Sequence, residues 1–145
     1  MRCYEYRHRV SLEDTNVVGN VYFVNHVRWQ GRCREMFLHD HAPKVLSELA
    51  RGLTLATTRV SCAYYRELTA FDEVLVRMSA GPVQPSRLTM LFDYLRVLPD
   101  GKEELVARGE QEIVCLRREG SRTTAVPLPE SLCEALAPFV GTPIR

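Results

Sequence analysis

The chain of 145 residues lacks several features that mark whole classes of protein. No apolar run approaches the roughly 20 residues that cross a bilayer. The first ten residues alternate in character and carry several charges, unlike a secretory leader. Basic residues number 19 and acidic residues 18, so the basic excess typical of nucleic-acid binders is missing. We therefore expect one soluble, cytoplasmic domain over residues 1–145 that binds neither nucleic acid nor a membrane.

Paired cysteines are also missing, although the chain has five cysteines. Their number is odd and none has Cys-x-x-Cys spacing, which argues against a disulfide framework and against a zinc site. The histidines show no metal-like grouping either, so we expect no metal and no other cofactor. We predict free, buried thiols in a reducing compartment. The five are Cys3, Cys33, Cys62, Cys115 and Cys133.

The apolar pattern of the first half predicts one strand and one long helix. Residues 2–10 alternate as in a strand, and residues 11–20 are rich in turn formers. From 21 to 41 the apolar residues recur mostly at helical spacing, with Asn20 as a plausible N-cap. Gly31 would cost this helix about 1 kcal/mol relative to Ala, which makes sense where another backbone packs closely. A short helical piece is predicted at 43–50.

After Gly52 the apolar period changes from 3.6 to 2. Strands are predicted at 53–66, 73–82, 86–98 and 102–117, with a last short strand before Pro127 and a closing helix within 129–139. A helix of about 20 residues spans roughly 30 Å, close to the width of five strands at ~4.8 Å each. The order predicts an α+β fold, in which a five- to six-stranded antiparallel sheet wraps one long central helix.

The segment EDTNVVGNVYFVNH, residues 13–26, joins the first strand to this helix. It contains a glycine in its loop and ends at the positive, N–H-exposing end of the helix, which suits a developing oxyanion. An ordinary strand-to-helix connection also uses Asn and Gly for its turns. The pattern alone leaves both interpretations open.

The same segment resembles the active-site pattern of the 4-hydroxybenzoyl-CoA thioesterase branch of the hotdog superfamily, roughly D-x-D-x-x-G-x-V-[YF]-[YF]-x-[NR]-[YH]. Asp14 fits the first acid, Gly19 the glycine, and Tyr22 and Phe23 the aromatic pair. The likeness extends over about residues 4–130. It implies the hotdog fold and thioester hydrolysis.

One position departs from that pattern, because Asn16 stands where the branch has its catalytic carboxylate. Asn can act neither as nucleophile nor as general base. Together with the stretch WQGRCRE, residues 29–35, the segment is similar to the thioesterases of enediyne polyketide biosynthesis. That resemblance implies that Asn16 and Arg34 form the functional pair. Tyr is expected at the position of His26, so the role of His26 stays open.

A site without a carboxylate has to work through hydrogen-bond donors. We expect Asn16 and Arg34 to orient water and stabilise charge, while the backbone N–H groups of Tyr22 and Phe23 polarise the thioester carbonyl.

The sequence leaves three further residues with alternative roles. Glu35 could serve as a base, although an exposed, salt-bridged side chain is favoured. Asp14 is favoured as a cap or turn residue. His26 is interpreted either as a proton shuttle or as a hydrogen-bonded packing residue.

The acyl chain needs an apolar channel, whose sequence pattern is the same as that of a core. Candidates are Val27, Tyr64, Tyr65 and Met90, and further candidates are Phe23, Val60 and Phe92. The resemblance implies an acidic acyl carrier protein domain of an iterative type I polyketide synthase as partner, and exposed arginines could meet it: Arg66, Arg117, Arg118 and Arg122. Alternatives are a hydrolase of acyl-coenzyme A and a non-catalytic acyl-binding module.

A sheet with open edges predicts self-association. We expect dimers that pair into a tetramer.

Overall fold

A computed structural model describes residues 2–141, and its secondary structure follows the alternation of the sequence. On β3, for example, Val74, Val76 and Met78 are fully buried on one face of the sheet. The strands are β1 (Tyr4–Arg9), β2 (Leu53–Tyr64), β3 (Glu73–Val83), β4 (Arg87–Val97), β5 (Glu103–Glu119) and β6 (Arg122–Ala125). The helices are α1 (Val24–His41), α2 (Pro43–Leu49) and α3 (Glu130–Leu136), with single 3-10 turns at Leu12–Asp14 and Ala137–Phe139.

The sheet is antiparallel throughout, in the order β1-β3-β4-β5-β2, with β6 paired to the end of β5. A register shift between Thr57 and Arg59 marks an irregularity in β2 where it pairs with β5. β2 forms one edge of the sheet, and most of its residues from Arg59 onward are exposed. The prediction of an α+β fold with a five- to six-stranded antiparallel sheet is confirmed.

Helix α1 packs on the sheet through one face that mixes apolar and polar side chains. Trp29, Cys33 and Phe37 are buried at helical spacing, as the sequence pattern predicts. His26 and Gln30 are buried on the same side of the helix. No helix of the described chain is both long and apolar enough to cross a membrane.

The start of α1 differs from the prediction, since the helix begins at Val24 and not at residue 21. Asn20 is therefore not its N-cap. Asn20 forms a bridge with Thr69, and the Val21 N–H donates to the carbonyl of Leu68 at 2.7 Å. These long-range hydrogen bonds hold residues 20 and 21 extended, and local helix signals could not reveal them.

Gly109 on β5 is the glycine that the packing of α1 requires. A Cβ at Gly109 would lie 2.0 Å from Nε2 of Gln30 and 2.8 Å from the carbonyl oxygen of Ser61. The Gln30 amide fills that space and donates to the Ser61 carbonyl at 3.1 Å. At Gly31, by contrast, a Cβ would meet nothing within 4 Å, so the expected close approach of another backbone is not found in the described chain.

The cysteines follow the prediction only in part. All five are free thiols, but only Cys33 and Cys115 are buried. Cys133 is exposed, because it lies on the outer side of α3.

Replacing Gly109 or Gly31 by alanine should have opposite effects on the free energy of unfolding. We expect Gly109→Ala to lower the free energy of unfolding by about 1–3 kcal/mol, because the new carbon overpacks against Gln30 and Ser61. Gly31→Ala is the matched control and should raise stability by up to about 1 kcal/mol through helix propensity. Urea unfolding of both variants measures the difference, and equal stability would contradict this packing.

Candidate active site

The loop before α1 holds Asn16 in a tight turn that leaves one of its side-chain groups free. The Asn16 N–H donates to Asn20 O at 2.9 Å, and Gly19 N–H donates to Asn16 O at 3.0 Å. Gly19 has a φ of 94°, a conformation that favours glycine. The Asn16 Oδ1 accepts from the Val18 N–H at 3.0 Å. The amide Nδ2 has no partner within the described residues, so Asn16 offers this site a hydrogen-bond donor.

Asp14 ties this loop to the neighbouring strand and helix. Its carboxylate accepts from the Ser11 N–H at 3.0 Å and lies 2.8 Å from Nε2 of His8. Burial raises the pKa of the Asp14 carboxyl, but these hydrogen bonds outweigh burial and lower its pKa overall. Its backbone carbonyl accepts from the Asn25 side chain at 2.8 Å. These are the contacts of a capping and positioning residue.

The two backbone N–H groups predicted to face the substrate are not equivalent. The Tyr22 N–H donates to the carbonyl of Asp14 at 2.9 Å, so it is not free to polarise a thioester. This is a correction to the role expected of Tyr22. The Phe23 N–H has no acceptor among residues 2–141, and it precedes the first residue of α1. It is therefore an unpaired backbone donor at the positive end of the helix, and its part in binding an oxyanion stays a prediction.

Arg34 lies on α1 and bonds across to the sheet at the irregularity of β2. Its Nη1 donates to Thr57 Oγ1 at 2.7 Å and to Gln111 Oε1 at 3.2 Å, and its Nη2 donates to Leu55 O at 3.1 Å. Burial lowers the pKa of the guanidinium, which nevertheless keeps its charge. All three acceptors are uncharged. The cation therefore has no counter-charge among its hydrogen-bond partners and retains N–H groups for an anionic ligand.

Asn16 and Arg34 are not in contact within one chain. Asn16 precedes the helix, whereas Arg34 is ten residues beyond Val24, about 15 Å along the helix axis. The partners of Asn16 are in its own turn, and those of Arg34 are on β2 and β5. A single protomer thus contains the two halves of the predicted pair at separate places.

A cleft of about 310 Å³ opens beside the start of α1. It contains some of the residues predicted for the channel, but not all of them. Tyr64 and Tyr65 line it, and the Tyr64 hydroxyl donates to Phe23 O at 2.7 Å. Met90 lies in the core, and Val27 does not line the cleft. The lining residues are Asn20, Val21, Phe23, His26, Tyr64, Tyr65, Arg66, Glu67 and Leu68.

Other channel candidates also lie elsewhere. Phe92 is fully buried in the core, and Val60 lines a separate small cavity of about 80 Å³ on β2. A cavity of about 530 Å³ beside Arg9 and Phe71 contains none of the predicted site residues. Core and channel share one sequence pattern, and only the placement of the residues separates them.

His26 is 3% exposed and lines the cleft. Its ring packs against Tyr64, Trp29 and Tyr94, with centroid distances of 4.7, 5.3 and 5.5 Å. Burial lowers the pKa of the imidazole to about 4, although the Phe23 carbonyl opposes the shift. Neither ring nitrogen has a hydrogen-bond partner among the described residues. His26 is therefore neutral near pH 7 and packs among aromatic rings, while its role in the reaction stays a prediction.

Glu35 is exposed on the far side of α1. It makes no ion pair with any described residue, so the expected salt bridge is not found. Sequence reasoning also missed Gln30, whose signal was a polar side chain four residues after His26 on a buried helix face.

The chain belongs to the Thioesterase-like superfamily, whose pattern matches residues 10–136. Together with the structures it resembles, this makes the chain a thioester hydrolase with the hotdog fold, as predicted from the sequence.

One similar solved structure is that of the dynemicin thioesterase, which was studied for induced-fit and allosteric effects upon polyene binding. It is 45% identical, with a TM-score of 0.92, over 97% of this chain and 99% of that chain. A variant of 4-hydroxybenzoyl-CoA thioesterase bound to 4-hydroxybenzoyl-CoA is 18% identical, with a TM-score of 0.83 over 94% and 100% of the two chains. The 1,4-dihydroxy-2-naphthoyl-CoA thioesterase from Synechocystis is 21% identical, with a TM-score of 0.76 over 93% and 96%. No curated protein matches the chain.

The buried imidazole predicts a pH-dependent stability. The unfolded chain protonates His26 at its ordinary pKa of about 6.5, whereas the folded chain does so only at about 4. Folding should therefore lose stability as the pH falls from about 6.5 towards 4, because protons bind preferentially to the unfolded state. His26→Phe should flatten the stability curve in this window, as measured by urea unfolding at several pH values. A curve of unchanged slope would show that His26 does not cause it.

Proposed function

We propose that this enzyme hydrolyses a polyketide acyl thioester, polyunsaturated and bearing a 3-oxo group, on the carrier domain of an iterative type I polyketide synthase in enediyne biosynthesis. The observation that carries the proposal is the 45% identity to dynemicin thioesterase over nearly the whole of both chains. The aromatic lining of the cleft, with Phe23, Tyr64 and Tyr65, supports it, because aromatic faces pack well against a conjugated chain.

The chemistry proceeds through donors and needs no carboxylate. The Phe23 N–H polarises the carbonyl, and the Asn16 Nδ2 and the Arg34 guanidinium orient water and stabilise the oxyanion. The water oxygen bonds to the carbonyl carbon, the carbon–sulfur bond breaks, and the proton released by the water goes to the departing thiolate. Thiolate leaves readily, so no strong general acid is required. A freed 3-oxo acid can then lose carbon dioxide through a cyclic transition state.

In this proposal, Asn16 of one copy of the chain meets Arg34 of a second copy. β2 is an edge strand, so it can pair antiparallel with its counterpart in a second copy. That pairing would run the two α1 helices in opposite directions. The Asn16 turn of one copy then lies towards the later part of the other helix, where Arg34 is, and two such dimers form the tetramer.

Thiol release from an acyl thioester tests both the residues and their sharing. We expect Asn16→Ala and Arg34→Ala each to lower the turnover number about 100-fold, the cost of removing an oxyanion-type donor. Co-expressing the two inactive variants should restore about a quarter of wild-type activity, since half of the dimers are hybrids and each hybrid holds one intact site. Each variant expressed alone is the control.

The outcomes separate three failures. A wild type that releases no more thiol than buffer would overturn thioester hydrolysis. Variants as active as wild type would overturn the roles of Asn16 and Arg34. Inactive variants that do not complement each other would place both residues in one protomer, and sedimentation of a monomer would remove the shared site altogether.

Arg66 is the predicted docking arginine that lies at the cleft. Its side chain is largely exposed, and among residues 2–141 it makes one loose ion pair, with Glu104 at 3.7 Å. Arg117 is instead engaged by Glu48 at 3.2 Å, and Arg118 and Arg122 lie at the β5–β6 turn. In this proposal Arg66 meets an acidic carrier protein as it delivers the acyl chain.

Substitution of Arg66 should weaken carrier recognition more than chemistry. We expect Arg66→Ala to lower kcat/KM for a carrier-bound acyl chain roughly threefold to tenfold relative to the same chain on pantetheine, with the loss shrinking at high salt. Arg122→Ala, away from the cleft, is the matched control. If wild type turns over the coenzyme A thioester as well as the carrier-bound one, the enzyme is an acyl-coenzyme A hydrolase without a carrier partner.

A further inference from the structure

Polar atoms without partners are concentrated where α1 meets the cleft. Among buried side-chain atoms of the described residues, both ring nitrogens of His26, Oδ1 of Asn20 and Oε1 of Gln30 lack any hydrogen-bond partner. His26 and Asn20 both line the cleft, and Gln30 follows His26 by one helical turn. Buried polar atoms are usually satisfied, so a group of this kind requires an explanation.

The surroundings of His26 leave the cleft as the direction from which a partner can come. The imidazole is enclosed by the rings of Trp29, Tyr64 and Tyr94. The Tyr94 hydroxyl donates to the backbone carbonyl of His26 and the Tyr64 hydroxyl to that of Phe23, so neither hydroxyl serves the imidazole. The Phe23 carbonyl, which opposes the shift in the pKa of the ring, is already engaged by Tyr64. A neutral imidazole has one donor and one acceptor, which suits an uncharged oxygen better than a carboxylate or phosphate.

Asn20 supplies a second polar group on the same cleft. The bridge to Thr69 fixes the backbone of Asn20 and therefore the position from which its side chain starts. The amide can turn either its oxygen or its nitrogen towards the cleft. His26 and Asn20 together can therefore pair with an oxygen that accepts, donates or does both.

We propose that His26, assisted by Asn20, binds an oxygen substituent of the acyl chain close to the thioester carbonyl, and so selects 3-hydroxy- and 3-oxo-acyl chains over plain hydrocarbon chains. The position follows from the helix, because His26 is three residues beyond Phe23 and such residues are about 5–6 Å apart at Cβ. This inference rests on the proposed function, in which the Phe23 N–H receives the carbonyl. His26 is a specificity-determining residue here and takes no proton in the reaction.

The test compares two thioesters that differ in one hydroxyl group. Octanoyl- and 3-hydroxyoctanoyl-N-acetylcysteamine are turned over by wild type, His26→Phe and His26→Gln. We expect wild type to favour the hydroxylated chain about tenfold or more in kcat/KM, the effect of one buried hydrogen bond. His26→Phe, which keeps a flat ring without polar atoms, should bring the ratio close to 1, and His26→Gln should restore part of it.

Two controls separate this effect from general damage. His39→Phe makes the same chemical change on the exposed end of α1 and should leave the ratio as in wild type. Calorimetry with non-hydrolysable amide analogues of the two chains measures the preference without catalysis, so it remains informative for a variant that turns over slowly.

The results distinguish this inference from the proposed function. A wild-type ratio near 1 would mean that solvent water satisfies the imidazole, and it would overturn the inference while leaving thioester hydrolysis intact. A preference that survives in His26→Phe would equally overturn it. If no acyl thioester is hydrolysed, the proposed function fails, and binding of the amide analogues still decides whether His26 recognises the hydroxyl group.

Discussion

The geometry of the site depends on two hydrogen bonds that the backbone carbonyl of Asp14 accepts. It accepts from the Tyr22 N–H and from the Asn25 side chain, so a single oxygen fixes the loop against the start of α1. The carboxylate of the same residue is held by Ser11 and His8. These bonds use the Tyr22 N–H, whereas the next N–H, that of Phe23, has no acceptor among the described residues.

The fold could be predicted because it depends on periodicity that is local in the sequence. Alternating strands and one helical stretch determine how many layers can bury their apolar faces, and the structure has the architecture that follows from them. The start of α1 could not be predicted in this way. Asn20 and Val21 are held extended by Thr69 and Leu68, which are about fifty residues away in the sequence.

The candidate site was predictable as a set of residues, but not as a geometry. A motif shows that Asn16 replaces an acid and that Arg34 follows on the helix, but it contains no distances. The structure adds that the two residues have separate surroundings in one protomer. Met90 and Tyr64 illustrate the same limit for the channel, because both match an apolar strand pattern and only Tyr64 reaches the cleft.

The missing side chain of Gly109 has a mechanical consequence. The amide of Gln30 fills the space above that glycine and donates to the Ser61 carbonyl on the neighbouring strand. Sliding α1 along its axis would drive this amide into neighbouring backbone, so translation of the whole rod is blocked. Phe23 and Tyr65, which line the cleft and are more than half exposed, can change rotamer without any movement of this helix.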